Sequence, residues 1–207
     1  MPYEKFDKKS LINVFGGASS LIIKYKDIFD LGEFYTALLN WLDDYDWHDC
    51  IEDELAERAE SYMGQVVDKG GGREVWFRWR LKKTPADSSK IDFFMDMNFH
   101  GLGLKSTEVV KAGKKIKADK GELEITIKAS VHLKYMAELD KDSLLKYLKD
   151  LFTKKAYDPA QYVKELYQEV YAFQNFIKQW FKMKRYLPYE ESKSFYPSYA
   201  WPSHLKD

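Results

Sequence analysis

Apolar and polar residues alternate along most of the middle of this chain and then change to a helical rhythm. Leu21, Ile23 and Tyr25 alternate with Ile22, Lys24 and Lys26, which predicts a first strand ending near Asp30. Asp30 followed by Glu33 reads as a capping-box start, and Phe34, Ala37, Leu38, Trp41, Leu42 and Tyr45 then share one face, predicting a helix over about 31–45. The carboxylate-dense stretch 43–54 reads as a second short helix or a loop. A strand ending near Val67, the turn glycines Gly70, Gly71 and Gly72, and the alternation of Val75, Phe77, Trp79 and Leu81 with charged partners predict a hairpin.

The next apolar face is Ile91, Phe93, Met95, Met97 and Phe99, after a loop at 85–89. If these two strands pair antiparallel, facing residues sum to an even number. Arg78 then lands near Asp96, and Arg80 or Lys82 near Asp92, on the outer face. Residues 104–118 carry Val109, Val110 and Ile116 among lysines and read as a weak, lysine-protected edge strand. Asp119-Lys120-Gly121 is expected to turn the chain into the cleanest strand, 123–135, with odd residues inward and even residues toward solvent. After Asp140 the period becomes helical: a helix at about 141–154, then a longer one opened by Asp158-Pro159 and running to about 186. Its apolar face is Val163, Leu166, Tyr167, Val170, Phe173, Ile177, Trp180 and Phe181. That helix would be roughly 40 Å long, matching strands of about 11–13 residues.

The pattern thus predicts an α+β fold in which a curled antiparallel meander of about six strands packs on a long C-terminal helix. Residues 1–20 form an N-terminal arm, 21–186 a single domain, and 187–207 an aromatic, proline-containing tail. This order of strand, helix, short helix, meander and terminal helix resembles the helix-grip layout of START-related (SRPBCC-like) domains. The likeness lies in topology and carries over no residue roles. It implies a cavity between sheet and helix for a lipid, sterol or other apolar ligand; some members of that group are cyclases or hydrolases. The added helix at 141–154 and the tail depart from the layout.

Composition narrows the function classes. The 33 basic and 33 acidic residues cancel and form no long block, so nucleic-acid binding is not expected. Lys, Asp or Glu interrupts every hydrophobic run, so no transmembrane segment is expected. A lone Cys50 and an N-terminus without a basic segment and apolar run point to the cytoplasm. Aromatic residues make up 16% of the chain and supply large apolar area with polar rims.

Candidate chemistry is sparse. The stretch 43–54 holds His48, Cys50 and seven carboxylates but matches no metal-ligand spacing, and a solvated acidic surface is the preferred reading. Two residues apart on a helix, His48 and Cys50 would face different ways. His100 and His132 fall on the outer face, where neighbouring strands can bring them together. Gly101-Leu102-Gly103-Leu104 lacks the Lys-Ser/Thr of a phosphate loop and reads as a turn or bulge. No metal and no cofactor is expected.

The expected ligand-binding residues are Phe77, Trp79, Phe93, Met95, Met97, Phe99, Phe173, Ile177 and Trp180, which line the sheet-helix interface and equally suit core packing. In the tail, Phe195, Tyr196, Tyr199 and Trp201 expose apolar area and are the expected contacts for a protein partner or for self-association. A non-catalytic module holding a small apolar ligand is the leading expectation, an interaction subunit of a larger assembly the alternative. Catalysis ranks last, because it requires His48, His100 or His132 to converge with carboxylates.

Overall fold

The computed structural model describes residues 10–17, 19–50, 60–111, 114–135 and 158–183. The chain order is β1 (Leu11–Asn13), β2 (Leu21–Phe29), α1 (Leu31–Asp44), β3 (His48–Asp49), β4 (Glu60–Val67), β5 (Arg73–Lys83), β6 (Ile91–Lys111), β7 (Lys114–Leu133) and α2 (Pro159–Trp180). The expected helix at 141–154, the tail, residues 184–186 and part of the acidic stretch lie outside the described residues.

All pairings are antiparallel, and the strands form one open, curled sheet. β1 and β2 follow one another along the same edge of β7; β6 and β5 come next; β4 and β3 share the far edge of β5. The fold is α+β, a curled antiparallel meander with a C-terminal helix, and this order is compatible with helix-grip topology. No described helix is long and apolar enough to cross a membrane.

Local chemistry accounts for the helix ends. Asp30 accepts from the Glu33 amide at 2.9 Å to open α1, and Asp158 accepts from the Ala160 amide at 3.0 Å, ahead of which Pro159 costs no helical hydrogen bond. α2 stops at Trp180 rather than near 186. The Met183 amide reaches back to the Lys178 carbonyl at 2.7 Å and the Lys182 amide to Gln179 at 3.0 Å, a Schellman ending with Lys182 at φ 54° where glycine is usual.

Odd-numbered residues of β5 from Val75 to Leu81, of β6 up to Phe99, and of β7 from Leu123 onward face the helices, and all are buried. Three expectations need correction. Arg80, not Arg78, faces Asp96, with Nη1 3.1 Å from its carboxylate; Arg78 donates instead to Asn98 at 2.6 Å. The even sum holds, but the register is displaced by two residues, because arginines and aspartates spaced two apart satisfy either alignment. His48 and Asp49 form not a helix but a two-residue strand against Lys82 and Leu81. Nor does the chain turn at Asp119-Lys120-Gly121.

β6 and β7 instead run on as one hairpin, with Lys105 opposite Lys120 and Lys111 opposite Lys114, so 104–118 is not a separate edge strand. At 21 residues, β6 is far longer than the strands expected. A bulge makes this continuation unreadable from periodicity. Gly103 and Leu104 together oppose Gly121 alone, and Gly103 takes φ +58°, the left-handed conformation of a glycine bulge. Leu104 is thereby turned into the core, where its side chain fills the space a Cβ on Gly101 or Gly121 would need.

Candidate functional site

Three elements converge beneath the sheet. Trp41 of α1 meets Phe173 of α2 at 4.6 Å between ring centroids, Tyr35 of α1 stands edge-on to Trp79 at 4.9 Å, and Phe77 stacks on Phe99 at 4.2 Å. Tyr35 also donates to Glu60 at 3.0 Å, and burial, then the Glu60 charge, pushes its phenol up to about 12. The helix is tied across its length. Trp47 Nε1 and Lys83 Nζ both donate to Glu169, at 2.7 and 2.8 Å, and Tyr162 donates to Asp87 at 3.2 Å.

The sequence-derived ligand residues fall into two groups. Phe77, Trp79, Phe93, Met95, Met97, Phe99, Phe173 and Ile177 are each 3% exposed or less. A gap wide enough for water would register as exposed area on its walls, so the space at these eight is filled by their own side chains. Trp180 differs. It is half-buried and borders a cavity of about 400 Å³ at the far end of the core, lined by Tyr25, Ile28 and Phe29 of β2, Glu33 of α1, and Trp180, Phe181 and Lys182.

That cavity is built by the helix ending. The reversal at Lys182 leaves Phe181 packed inward, stacked on Tyr25 at 4.2 Å and edge-on to Phe29 at 5.8 Å, while Trp180 lies 4.9 Å from Phe34. Burial holds the Tyr25 phenol above its ordinary range, with Asp27 adding to the shift. Four aromatic side chains therefore stand around the cavity together with Glu33 and Lys182, and its accessible lining is more polar than apolar. Tyr25, Phe29 and Phe181 were missed as site residues. Their apolar character is visible in the sequence, but the Schellman ending that gathers them carries no glycine signal.

A second concentration of polar groups lies on the outer face, where solvent was expected. Arg80, Asp92 and His132 are about 4% exposed. Asp92 accepts from Thr84 and from Lys134, both at 2.7 Å. Asp96, beside Arg80, is pushed up to about 7 by burial, against the pull of Lys128, and its Oδ1 accepts no hydrogen bond among the described residues. Burial likewise lowers His132 from its ordinary range, while Asp92 raises it in part.

The histidines do not converge. His100 lies opposite Glu124 and His132 opposite Asp92, eight rungs apart on β7, or roughly 27 Å at ordinary strand rise. His100 bonds Glu74 at 2.8 Å and stacks on Trp76 at 5.1 Å. Burial, then Asp49, raises the Cys50 thiol to about 12, away from the thiolate a nucleophile requires. Among the described residues no three His, Cys, Asp or Glu side chains form a metal-holding group. The tail residues Phe195, Tyr196, Tyr199 and Trp201 lie outside the described residues. No protein-family model matches the chain, and no match to curated proteins or to solved structures was found.

Proposed function

We propose that this chain is a non-catalytic binding module of START-like helix-grip layout that takes a small apolar ligand between the edge of its sheet and the end of its C-terminal helix. The supporting observation is the cavity of about 400 Å³ walled by Tyr25, Phe29, Trp180 and Phe181, a size within the ordinary range of small-molecule sites. The aromatic side chains suit a ring-bearing body, and the polar share of the lining, with Glu33 and Lys182, suits a ligand that also carries polar groups. The densely filled centre around Trp79 and Met97 contributes no lining residue to this cavity.

A second reading is an interaction subunit of a larger assembly, with the N-terminal arm and the aromatic tail as contacts. It gains support from β4, whose Met63 and Val66 are 64% and 57% exposed on opposite faces of an edge strand. Among the described residues no strand pairs with its outer edge, and an apolar edge of this kind is a template for another strand. Native mass spectrometry of the purified full chain addresses both. Ligand binding predicts an added small-molecule mass that organic extraction removes, and a rise in fluorescence when N-phenylnaphthylamine is titrated into the extracted protein. A bare chain mass together with a flat titration would rule it out. The interaction reading predicts oligomeric masses in the same spectra.

A further inference from the structure

Beyond the Gly103–Leu104 bulge the β6–β7 hairpin leaves the sheet. β5 reaches no farther than Arg73 opposite Leu104, and β2 no farther than Phe29 opposite Asp119. The rungs from Thr107 opposite Ala118 to Lys111 opposite Lys114 therefore have no third strand among the described residues.

The charge on this ribbon is one-sided. Residues 105–120 hold Lys105, Lys111, Lys114, Lys115, Lys117 and Lys120 against Glu108 and Asp119. Both acids are engaged: Asp119 pairs with Arg73 at the ribbon's base, and Glu108 with Lys115 at 3.4 Å. Lys105, Lys117 and Lys120 form no ion pair among the described residues. The register also sets Lys105 directly opposite Lys120, and Lys111 opposite Lys114. Like charges facing across a ladder cost stability, and the cost vanishes when an anionic surface lies over both.

Beyond the Lys105–Lys120 rung, on the same outer face of the ribbon, Val109 and Ile116 face each other, 36% and 37% exposed. Ile28, 40% exposed, lies beside Lys120 on the same face. A lysine pair with branched apolar side chains beside it on one face, in a segment holding six lysines against two acids, suits one kind of partner. We infer that the ribbon docks on an anionic bilayer surface, with its lysines among the lipid phosphates and carboxylates and with Val109, Ile116 and Ile28 in the interfacial layer. Duplex nucleic acid would satisfy the lysines but press those three apolar side chains against hydrated phosphate. The placement suits an apolar cargo, since Ile28 and Phe29 line the cavity and are the register partners of Lys120 and Asp119 at the ribbon's base.

Cosedimentation of the full chain with vesicles tests this. Phosphatidylcholine vesicles containing about 30% phosphatidylserine should retain the protein at low salt, and pure phosphatidylcholine should not. The double variant Lys105→Gln/Lys120→Gln should bind about 25-fold more weakly, fivefold per lysine. Val109→Ser/Ile116→Ser keeps every charge and should bind about tenfold more weakly for lost apolar burial, with an unchanged thermal transition. Equal retention by both vesicle types, no retention by either, or insensitivity to the serine variant would overturn the inference. So would binding of a short duplex DNA as tight as that of the anionic vesicles. The vesicle result needs no ligand in the cavity, so it and the ligand reading can fail separately.

Discussion

β6 and β7 are one continuous pair of strands, yet they make two different materials on either side of a single bulge. Along residues 91–102 and 122–133 they are flanked by β5 on one side and β1 and β2 on the other, and α1 and α2 bury their inner face. Along 105–111 and 114–120 they lose most of that support, and Val110 is 67% exposed. The β6–β7 ladder runs through both halves, but among the described residues the ribbon beyond Thr107 and Ala118 pairs on one edge only and is rich in lysine. The halves differ also in whether the helices cover their side chains, and that burial is expected to carry most of the stability.

The sharpest way to break that contrast is to truncate one apolar side chain in each half. Phe173→Ala removes a fully buried ring packed on Trp41 and should cost about 3–5 kcal/mol in urea unfolding. Ile116→Ala on the ribbon should cost under about 0.5 kcal/mol. Comparable losses would mean the ribbon is braced.

The second prediction concerns the outer face of the covered half. Asp96 is held up to about 7 in the folded chain against an ordinary 3.8, so between those values the folded state binds more protons than the unfolded one. Stability should therefore be present at low pH and be lost as pH rises toward about 7, by roughly 2–4 kcal/mol. His132, lowered by burial, opposes this with a contribution lost as pH falls below its ordinary range. Urea midpoints of wild type and Asp96→Asn at about pH 5 and about pH 8 separate the two. The asparagine variant should lose the decline and keep the histidine's acid sensitivity.

The smallest effect belongs to the ribbon. Lys120→Glu replaces a like-charge rung opposite Lys105 with an attractive one and should raise stability by about 0.2–1 kcal/mol, read as a small upward shift of the thermal midpoint. A loss would show that Lys105 and Lys120 do not face each other.

These contrasts also explain which features could be read from residues alone. The inner face was legible because Phe77, Trp79, Phe93, Met95, Met97, Leu123, Ile125 and Ile127 keep an unbroken period of two, and all are buried. The ribbon was not, because Gly103 and Leu104 insert one extra residue and reverse the parity of β6. Arg80, Asp92 and His132 looked like solvent-facing residues because burial on the convex side depends on what covers it, which strand periodicity does not encode. Trp180 was assigned to the inner face of the last helix through its helical phase, and it borders the cavity. Its neighbours Phe181 and Tyr25 needed the chain reversal at Lys182, a position where the side chain gives no warning of a left-handed backbone.

The extra residue at Gly103–Leu104 has a bearing on how this chain tolerates change. Because the doublet opposes Gly121 alone, it holds one residue more than the pairing needs. Deleting Gly103 would leave Leu104 alone opposite Gly121 and Lys105 still opposite Lys120, so Lys105, Thr107 and Val109 would keep their outward presentation and the buried half its alignment. A single-codon loss at the bulge is thus absorbed where it occurs, and neither the outward surface of the hairpin nor the core below it is turned over.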